Sequence, residues 1–245
     1  MADSALSENP LKALGITMGV ALVCAILVSI AAVGLKPRYL DNLEAERASR
    51  LGAILNAVGD VSVPVSMEDV EARIVDLQSG LYSDDIDPVT FDQRKAANDP
   101  NQGIKRRANN ALVYLLRDES LETPVVMLPV WGVGYQSALY GFLAVQADQN
   151  RVIALRFYEH GETPGLGSRI QDPQWEALWK DKKIYDDNGA VAIGVTNRPG
   201  SDAEYQVDGI SGATRTSMGV DGLVRFWLGE FGFGPYLARL RQGEV

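Results

Sequence analysis

Four hydroxyl side chains crowd one short stretch near the end of this chain of 245 residues. The stretch reads VDGISGATRTS over 207–217 and leads directly into an amphipathic segment. Its hydroxyls surround two small residues, and these positions are Ser211, Gly212, Ala213, Thr214, Thr216 and Ser217. The simplest interpretation is a Ser/Thr-rich turn that caps a helix. The alternative is a phosphate site, because helix N-terminal N–H groups attract anions and a threonine here could take a phosphate as an ester.

An acidic residue precedes these hydroxyls. Asp208 lies six residues before Thr214. That is close enough for a modifying enzyme to recognise it or for a metal to be oriented through it. The spacing alone establishes neither role.

A second stretch, HGETPGLGSR over 160–169, combines a proline, which stiffens the backbone, with glycines that follow it. Its two glycines permit positive φ or the close approach of a flat ligand. A glutamate and a threonine supply polar edges, and a leucine could press on an aromatic ring. These candidate contacts are Glu162, Thr163, Gly165, Leu166 and Gly167. The pattern alone fits ligand contact and a well-made turn equally, and His160 is interpreted as a surface or supporting residue.

Composition narrows the chemistry further. A net charge of −9 argues against nucleic-acid binding, which needs a basic face. One cysteine and one histidine argue against a disulfide framework and against a metal site built from those residues. The glycine-rich stretches at 132–137 and 165–170 lack the strand–turn–helix context of a dinucleotide site. We therefore expect no metal site, and we expect the chemistry to be supplied by a cofactor, with no catalytic residue identified among the side chains, or else to be limited to carboxylates and hydroxyls.

A membrane anchor is predicted at the start of the chain. Residues 13–35 carry no charge and are long enough to cross a hydrocarbon core of ~30 Å. They exceed the apolar part of a cleaved signal peptide, which is ~7–15 residues. We predict a retained transmembrane helix after a tail at 1–12. Four basic residues follow the span within 36–50, so charge mildly favours a cytoplasmic C-terminal domain.

Residues 36–110 are predicted to form a helical stalk and a polar loop region. Apolar spacing over 39–59 indicates a helix leading away from the membrane. The segment SMEDVEARIVDL over 66–77 predicts a second helix, with Ser66 as N-cap. The polar stretch 83–110 contains two prolines and is predicted to be surface loop.

Residues 111–245 are predicted to form one domain rich in short strands. The β-type runs include ALVYLL, PVVMLPV, ALYGFLAVQAD and RVIALRFYE, with a hairpin turn at 148–150. Asp172 and Pro173 predict the start of a short helix, and apolar spacing over 217–232 predicts a helix packed on the core. This order predicts an α+β fold with a mixed, largely antiparallel sheet, flanking helices and one preceding transmembrane helix.

The two motifs resemble a known family. DGISGAT resembles the Asp-x-x-Ser-Gly-Ala-Thr signature at which FMN is attached through its phosphate to the last threonine, here Thr214. ETPGLG over 162–167 resembles the second hallmark of the same FMN-binding domains. The closing FWLGEFGFGPYLARLRQGE is similar to the end of the C subunits of sodium-translocating NADH:quinone reductases. The resemblance covers nearly the whole chain. The G subunits of Rnf electron-transport complexes share both motifs but are usually shorter and less like this tail.

The resemblance implies a single-pass electron-transfer subunit of the bacterial inner membrane that carries one covalent FMN at Thr214. An FMN transferase that uses FAD and Mg²⁺ would install it, with Asp208 as a recognition residue. NADH would supply electrons through FAD and iron–sulfur centres of other subunits. They would then pass to the FMN and riboflavin of the B subunit and to ubiquinone, while the complex exports sodium. Partners would include the D and E subunits, which carry the iron–sulfur centres.

Several points stay open from the sequence. The resemblance puts the flavin domain in the periplasm, against the charge count, and we follow the resemblance. An Rnf G subunit and a non-redox, membrane-anchored binding module, whose hydroxyl turn is only a helix cap, are the alternatives. Trp131 and Tyr135 could neighbour a flavin ring, although core packing is the expected role of each.

Overall fold

The computed structural model describes residues 13–26, 28–29, 34, 70–97, 103–104, 107–116, 124–146, 150–198 and 202–245. The chain divides into two compact units, residues 1–50 and 51–245. In the first unit residues 13–26 are helical, and large apolar side chains along them are exposed.

The predicted membrane span at 13–35 lies only partly within this description. No helix among the described residues combines the length and apolar character needed to cross a membrane. The tail at 1–12 and the stalk helix over 39–59 fall outside the described residues. All three remain predictions.

Nine strands are described in the second unit. They are β1 (Val70–Asp76), β2 (Gly103–Ile104), β3 (Arg107–Ala108), β4 (Asn110–Leu116), β5 (Val125–Val133), β6 (Ala138–Gln146), β7 (Arg151–Glu159), β8 (Gly194–Thr196) and β9 (Gln206–Asp208). Five of them form the main sheet in the order β1-β4-β5-β6-β7, with every neighbouring pair antiparallel. Strands β2 and β3 form an antiparallel ribbon, whereas β8 and β9 pair in parallel.

Helices flank the sheet in the second unit. They are α1 (Gln93–Ala97), α2 (Pro173–Glu176), α3 (Thr214–Leu228) and α4 (Gly234–Gln242), with short 3₁₀ turns at Gly167–Gln171 and Ala177–Trp179. Asp172 caps α2 by accepting the N–H of Gln174, and Pro173 occupies the first turn. The helix start predicted at these two residues is therefore confirmed.

Helix α3 and the sheet share the main hydrophobic core. Its buried apolar side chains are Val220, Leu223, Val224, Trp227 and Leu228, which follow the predicted helical spacing. The indole N–H of Trp227 donates to the carbonyl of Trp131 at 2.7 Å, and the two ring centroids lie 4.3 Å apart. The helix is thus fixed against β5 by both packing and a polar contact.

The structure confirms the α+β class with flanking helices, but the main sheet is antiparallel throughout and not mixed, since the parallel pair β8–β9 forms a separate sheet. It corrects the helix predicted over 66–77, because Val70–Asp76 is strand β1 and pairs with β4 along its whole length. Val70, Ile74 and Leu77 have helical spacing. However, Ile74 and Val75 are β-branched residues that favour a strand, and both are buried where β1 pairs with β4. The predicted cap at Ser66 lies outside the described residues.

Two smaller predictions are also revised. The stretch 83–110, predicted as loop, contains α1 and the β2–β3 ribbon. The β6–β7 hairpin is confirmed by its pairing, although residues 147–149 of its turn lie outside the described part. Helix α3 was predicted over 217–232 and spans Thr214–Leu228. It therefore starts three residues earlier and ends four residues earlier than predicted.

Glycines allow α3 to approach β5 closely, and this contact is testable. A Cβ at Gly219 would lie 2.5 Å from the carbonyl oxygen of Val133, whereas one at Gly222 would meet nothing within 4 Å. We expect Gly219→Ala to lower the free energy of unfolding by about 1–3 kcal/mol through overpacking. The matched Gly222→Ala should raise it by up to about 1 kcal/mol, because alanine favours the helix.

Denaturant unfolding of the full chain, followed by tryptophan fluorescence, measures both changes. Equal shifts in the two variants would contradict the close approach of α3 to β5.

Candidate functional site

The first turn of α3 contains three of the four clustered hydroxyls. The helix begins at Thr214, after Ala213 as N-cap residue, and no side chain caps it. Its first turn contains no acidic residue. Gly212 has φ +81°, a left-handed conformation that glycine adopts without strain, and this turns the chain into the helix. Because first-turn N–H groups have no intrahelical acceptors, this end is open to an anion.

Burial separates the four hydroxyls into two pairs. Thr216 is 2% exposed, and its hydroxyl donates to Oε2 of Glu162 at 2.6 Å. Ser217 is 1% exposed, and its oxygen accepts the N–H of Ile210 at 2.9 Å. Ser211 and Thr214 are exposed. Only these two hydroxyls of the cluster are accessible for a reaction.

The buried carboxylate of Glu162 joins three segments of the chain. Its Oε1 accepts the N–H groups of Gln136 at 2.9 Å and Ser137 at 3.2 Å, both in the turn between β5 and β6. Its Oε2 accepts the hydroxyl of Thr216 on α3. Glu162 itself lies in the ETPGLG motif, so one side chain holds that motif, the hairpin turn and the helix start together.

Two glycines make room for this carboxylate. A Cβ at Gly134 would lie 2.5 Å from Oε1, and one at Gly167 would lie 2.6 Å from Oε2. Burial raises the pKa of Glu162, but hydrogen bonds from Thr216 and from backbone N–H groups outweigh it and lower the pKa below the ordinary 4.5. The carboxylate is therefore ionised at neutral pH.

A cavity of about 260 Å³ opens beside Thr214. The start of α3, the motif at 162–167 and Tyr135 line it. Tyr135 is 52% exposed and Leu166 46%, so the cavity has an apolar rim. Pockets that enclose a drug-sized ligand measure about 300–1,000 Å³. This cavity is smaller, so a drug-sized or larger ligand bound in it would leave part of its surface in solvent.

Most of the predicted contacts meet at this cavity. Its lining includes Glu162, Thr163, Leu166, Gly167, Gly212, Ala213, Thr214 and Thr216. Ser211 and Gly165 are not among the lining residues, and Gly165 instead shapes a turn with φ +74°. Asp208 ends β9, where its carbonyl accepts the indole N–H of Trp175 and its side chain is exposed.

Sequence reasoning missed Arg215 as a site residue, and it named Tyr135 as a possible ring neighbour but favoured core packing for it. Tyr135 lines the cavity, so the expectation that it packs in the core is wrong, whereas Trp131 does pack against the core. Arg215 also lines the cavity, with its guanidinium 5.2 Å from the centroid of the Tyr135 ring. His160 has a supporting role, since its Nδ1 accepts the N–H of Glu162 at 3.2 Å.

The charge at this helix end is unusual. Arg215 places a cation in the first turn of α3, where the helix dipole disfavours it. Within the described part of the chain no carboxylate forms an ion pair with Arg215. An anion bound here would interact favourably with both Arg215 and the uncapped N–H groups. Nor do the described residues contain a His, Cys, Asp or Glu group arranged to hold a metal ion.

Comparisons with known proteins find relatives that match nearly the whole chain. The FMN-binding domain family matches residues 134–229. The chain is 40% identical to the C subunit of the Na(+)-translocating NADH-quinone reductase of Vibrio alginolyticus over 248 residues, 96% of each chain. It is 42% identical to that of Pseudomonas aeruginosa, over 97% of this chain and 98% of the relative. The crystal structure of Shewanella oneidensis NqrC has a TM-score of 0.68 and 32% identity, covering 80% of this chain and 99% of that one.

The lowered pKa of Glu162 predicts a pH dependence of stability. The contribution of its ionised form is present above the unfolded-state pKa and is lost as pH falls through the lower, folded-state pKa. Between pH 7 and 3 the wild-type chain should therefore lose more stability than a Glu162→Gln variant. Denaturant unfolding at a series of pH values measures the difference. The exposed Glu230→Gln serves as control and should follow the wild-type profile.

Proposed function

The chain belongs to the family of C subunits of Na(+)-translocating NADH-quinone reductases, and we propose that it is an electron-transfer subunit of such a complex, carrying one FMN. The observation that carries this proposal is the exposed hydroxyl of Thr214 at the uncapped start of α3, beside a cavity formed by both sequence motifs. A simple helix cap would direct a side-chain oxygen to the helix N–H groups, and none does so here.

The proposed attachment is a phosphoester between FMN and Thr214. An FMN transferase that uses FAD and Mg²⁺ would join the threonine oxygen to the FMN phosphorus. One P–O bond of the FAD diphosphate breaks as the new one forms, AMP leaves, and the hydroxyl proton is released to solvent. No electron is transferred in this step. Asp208 lies exposed at the end of β9, where a transferase could contact it.

The residues present fit such a group. The first-turn N–H groups of α3 and the guanidinium of Arg215 would hold the phosphate, whose remaining ionised oxygen carries a negative charge. Tyr135 and Leu166 supply exposed apolar surface for an aromatic ring. Because the cavity is too small to enclose a large ligand, a covalent bond would prevent its loss, and one edge would stay accessible.

An accessible edge suits a subunit that relays electrons. When bound, FMN supplies the electron-transfer chemistry, and the protein binds and orients it. We propose that electrons derived from NADH arrive through partners with iron–sulfur centres, the D and E subunits among them, and leave towards the B subunit and ubiquinone. Sodium export would belong to the complex as a whole.

The alternatives receive less support. The curated relatives at about 40% identity over nearly the full chain are C subunits of this reductase, which favours it over an Rnf G subunit. A non-redox binding module would not need an accessible threonine between an apolar rim and a positive charge at a helix start.

We further propose that residues 13–35 anchor the chain in the bacterial inner membrane, with the flavin domain in the periplasm. The uncharged sequence of this segment supports the anchor, as do the exposed apolar side chains of the helical residues 13–26. The FMN transferase acts outside the cytoplasm in the family that the chain resembles, which supports the periplasmic side.

Replacing Thr214 by valine tests the attachment site. After co-expression with an FMN transferase, the wild-type chain should give a flavin-fluorescent band on a denaturing gel and a mass increase of one FMN minus water. Thr214→Val removes the hydroxyl with little change in shape, so both signals should disappear. The exposed neighbour Ser211→Ala is the matched control and should keep both. A fluorescent Thr214→Val band would exclude Thr214 as the attachment site.

Reporter fusions test the topology. Alkaline phosphatase joined after Val245 should be active, because this enzyme folds with disulfides only outside the cytoplasm. The same reporter joined after Lys12, before the anchor, should be inactive. The reverse pattern would place the domain in the cytoplasm, as the charge count favours.

A further inference from the structure

We infer that Glu162 is a positioning residue, which acts through Thr216 to hold the attachment turn so that the hydroxyl of Thr214 faces the cavity. This inference rests on the proposed attachment at Thr214. It assigns Glu162 and Thr216 a role different from ligand contact, because their polar atoms are already bound to each other and to the backbone.

The first step of the argument is the contact set of the carboxylate. Oε2 of Glu162 accepts the Thr216 hydroxyl at 2.6 Å, and both side chains are at least nine-tenths buried. Oε1 is occupied by the N–H groups of Gln136 and Ser137. The helix start is thereby tied by hydrogen bonds to a hairpin of the main sheet.

The second step is helix geometry. Successive residues in a helix are rotated by about 100°, so Thr214 and Thr216 are separated by about 200° around the axis of α3. Fixing Thr216 towards the interior therefore turns Thr214 outwards. Ser217, adjacent to Thr216 on the buried side, accepts the N–H of Ile210 and fixes the turn that precedes the helix. The buried hydroxyls of Thr216 and Ser217 therefore set the direction in which the Thr214 side chain points.

The third step is the lack of room for another arrangement. Gly134 and Gly167 are in contact with the carboxylate itself, and a Cβ at either would collide with it. A Cβ at Gly167 would also lie 2.7 Å from Oγ1 of Thr216. The ETPGLG motif therefore supplies both the carboxylate that binds the three donors, Glu162, and the glycine that leaves room for it, Gly167.

The test measures the full-length apo chain as a substrate of an FMN transferase, with FAD and Mg²⁺, by intact mass over time. Thr216→Val keeps the side-chain shape but removes the donor to Glu162. We expect it to lower kcat for attachment about tenfold or more, because a misplaced nucleophile reacts slowly, with KM changed less than about twofold. Thr216→Ser restores the hydroxyl and should recover kcat to within about threefold of wild type. Near-UV circular dichroism checks that each variant is folded.

A double variant tests whether Glu162 acts through Thr216. If it does, adding Glu162→Ala to Thr216→Val should lower kcat by less than about a further twofold. If the two residues act independently, the fold-losses in kcat of the two single variants would multiply in the double variant, and Glu162 would not act through Thr216. Should Glu162→Ala fail to fold, the Thr216 pair decides alone. Wild-type kcat in a folded Thr216→Val variant, or a Thr216→Ser variant as slow as Thr216→Val, overturns the inference. If the wild-type chain itself takes no FMN at Thr214, the proposed function fails instead.

Discussion

One buried, ionised carboxylate organises the functional end of this protein. An isolated charge in a protein interior is costly, so Glu162 must be surrounded by donors, and three come from two different segments. That requirement fixes the hairpin turn, the ETPGLG motif and the start of α3 relative to one another. Gly134 and Gly167 are necessary for the same reason, because any larger side chain would occupy the space of the carboxylate.

Helix α3 links this site to the hydrophobic core. One face carries Val220, Val224 and Trp227 into the main core, and the indole of Trp227 donates to a carbonyl of β5. The opposite side of its first turn presents Thr214 to solvent. A group attached to Thr214, as proposed, would have a defined position on this well-packed helix, whereas one attached to a long loop would not. Core packing of α3 would therefore hold the proposed cofactor in place.

The N-terminal end of α3 is not optimised for the stability of the protein alone. It has no side-chain cap and no acidic residue in its first turn, and it carries Arg215 where a cation opposes the dipole. Such a helix start is improved by an anion from outside the chain. A phosphate bound through Thr214 would supply that charge, so the unfavourable charge at this helix start and the proposed function have one physical explanation.

The sequence alone determined the features that depend on near neighbours along the chain. These include the cap at Asp172, the amphipathic spacing of α3 and the two motifs with their glycines and hydroxyls. Tertiary structure decided what depends on distant partners. Strand β1 has helical apolar spacing and is a strand only because β4 pairs with it, and Tyr135 enters the site only because the hairpin folds against α3. Likewise four similar hydroxyls became two buried and two exposed. The burial of these hydroxyls depends on the packing of remote segments, which their spacing along the chain does not reveal.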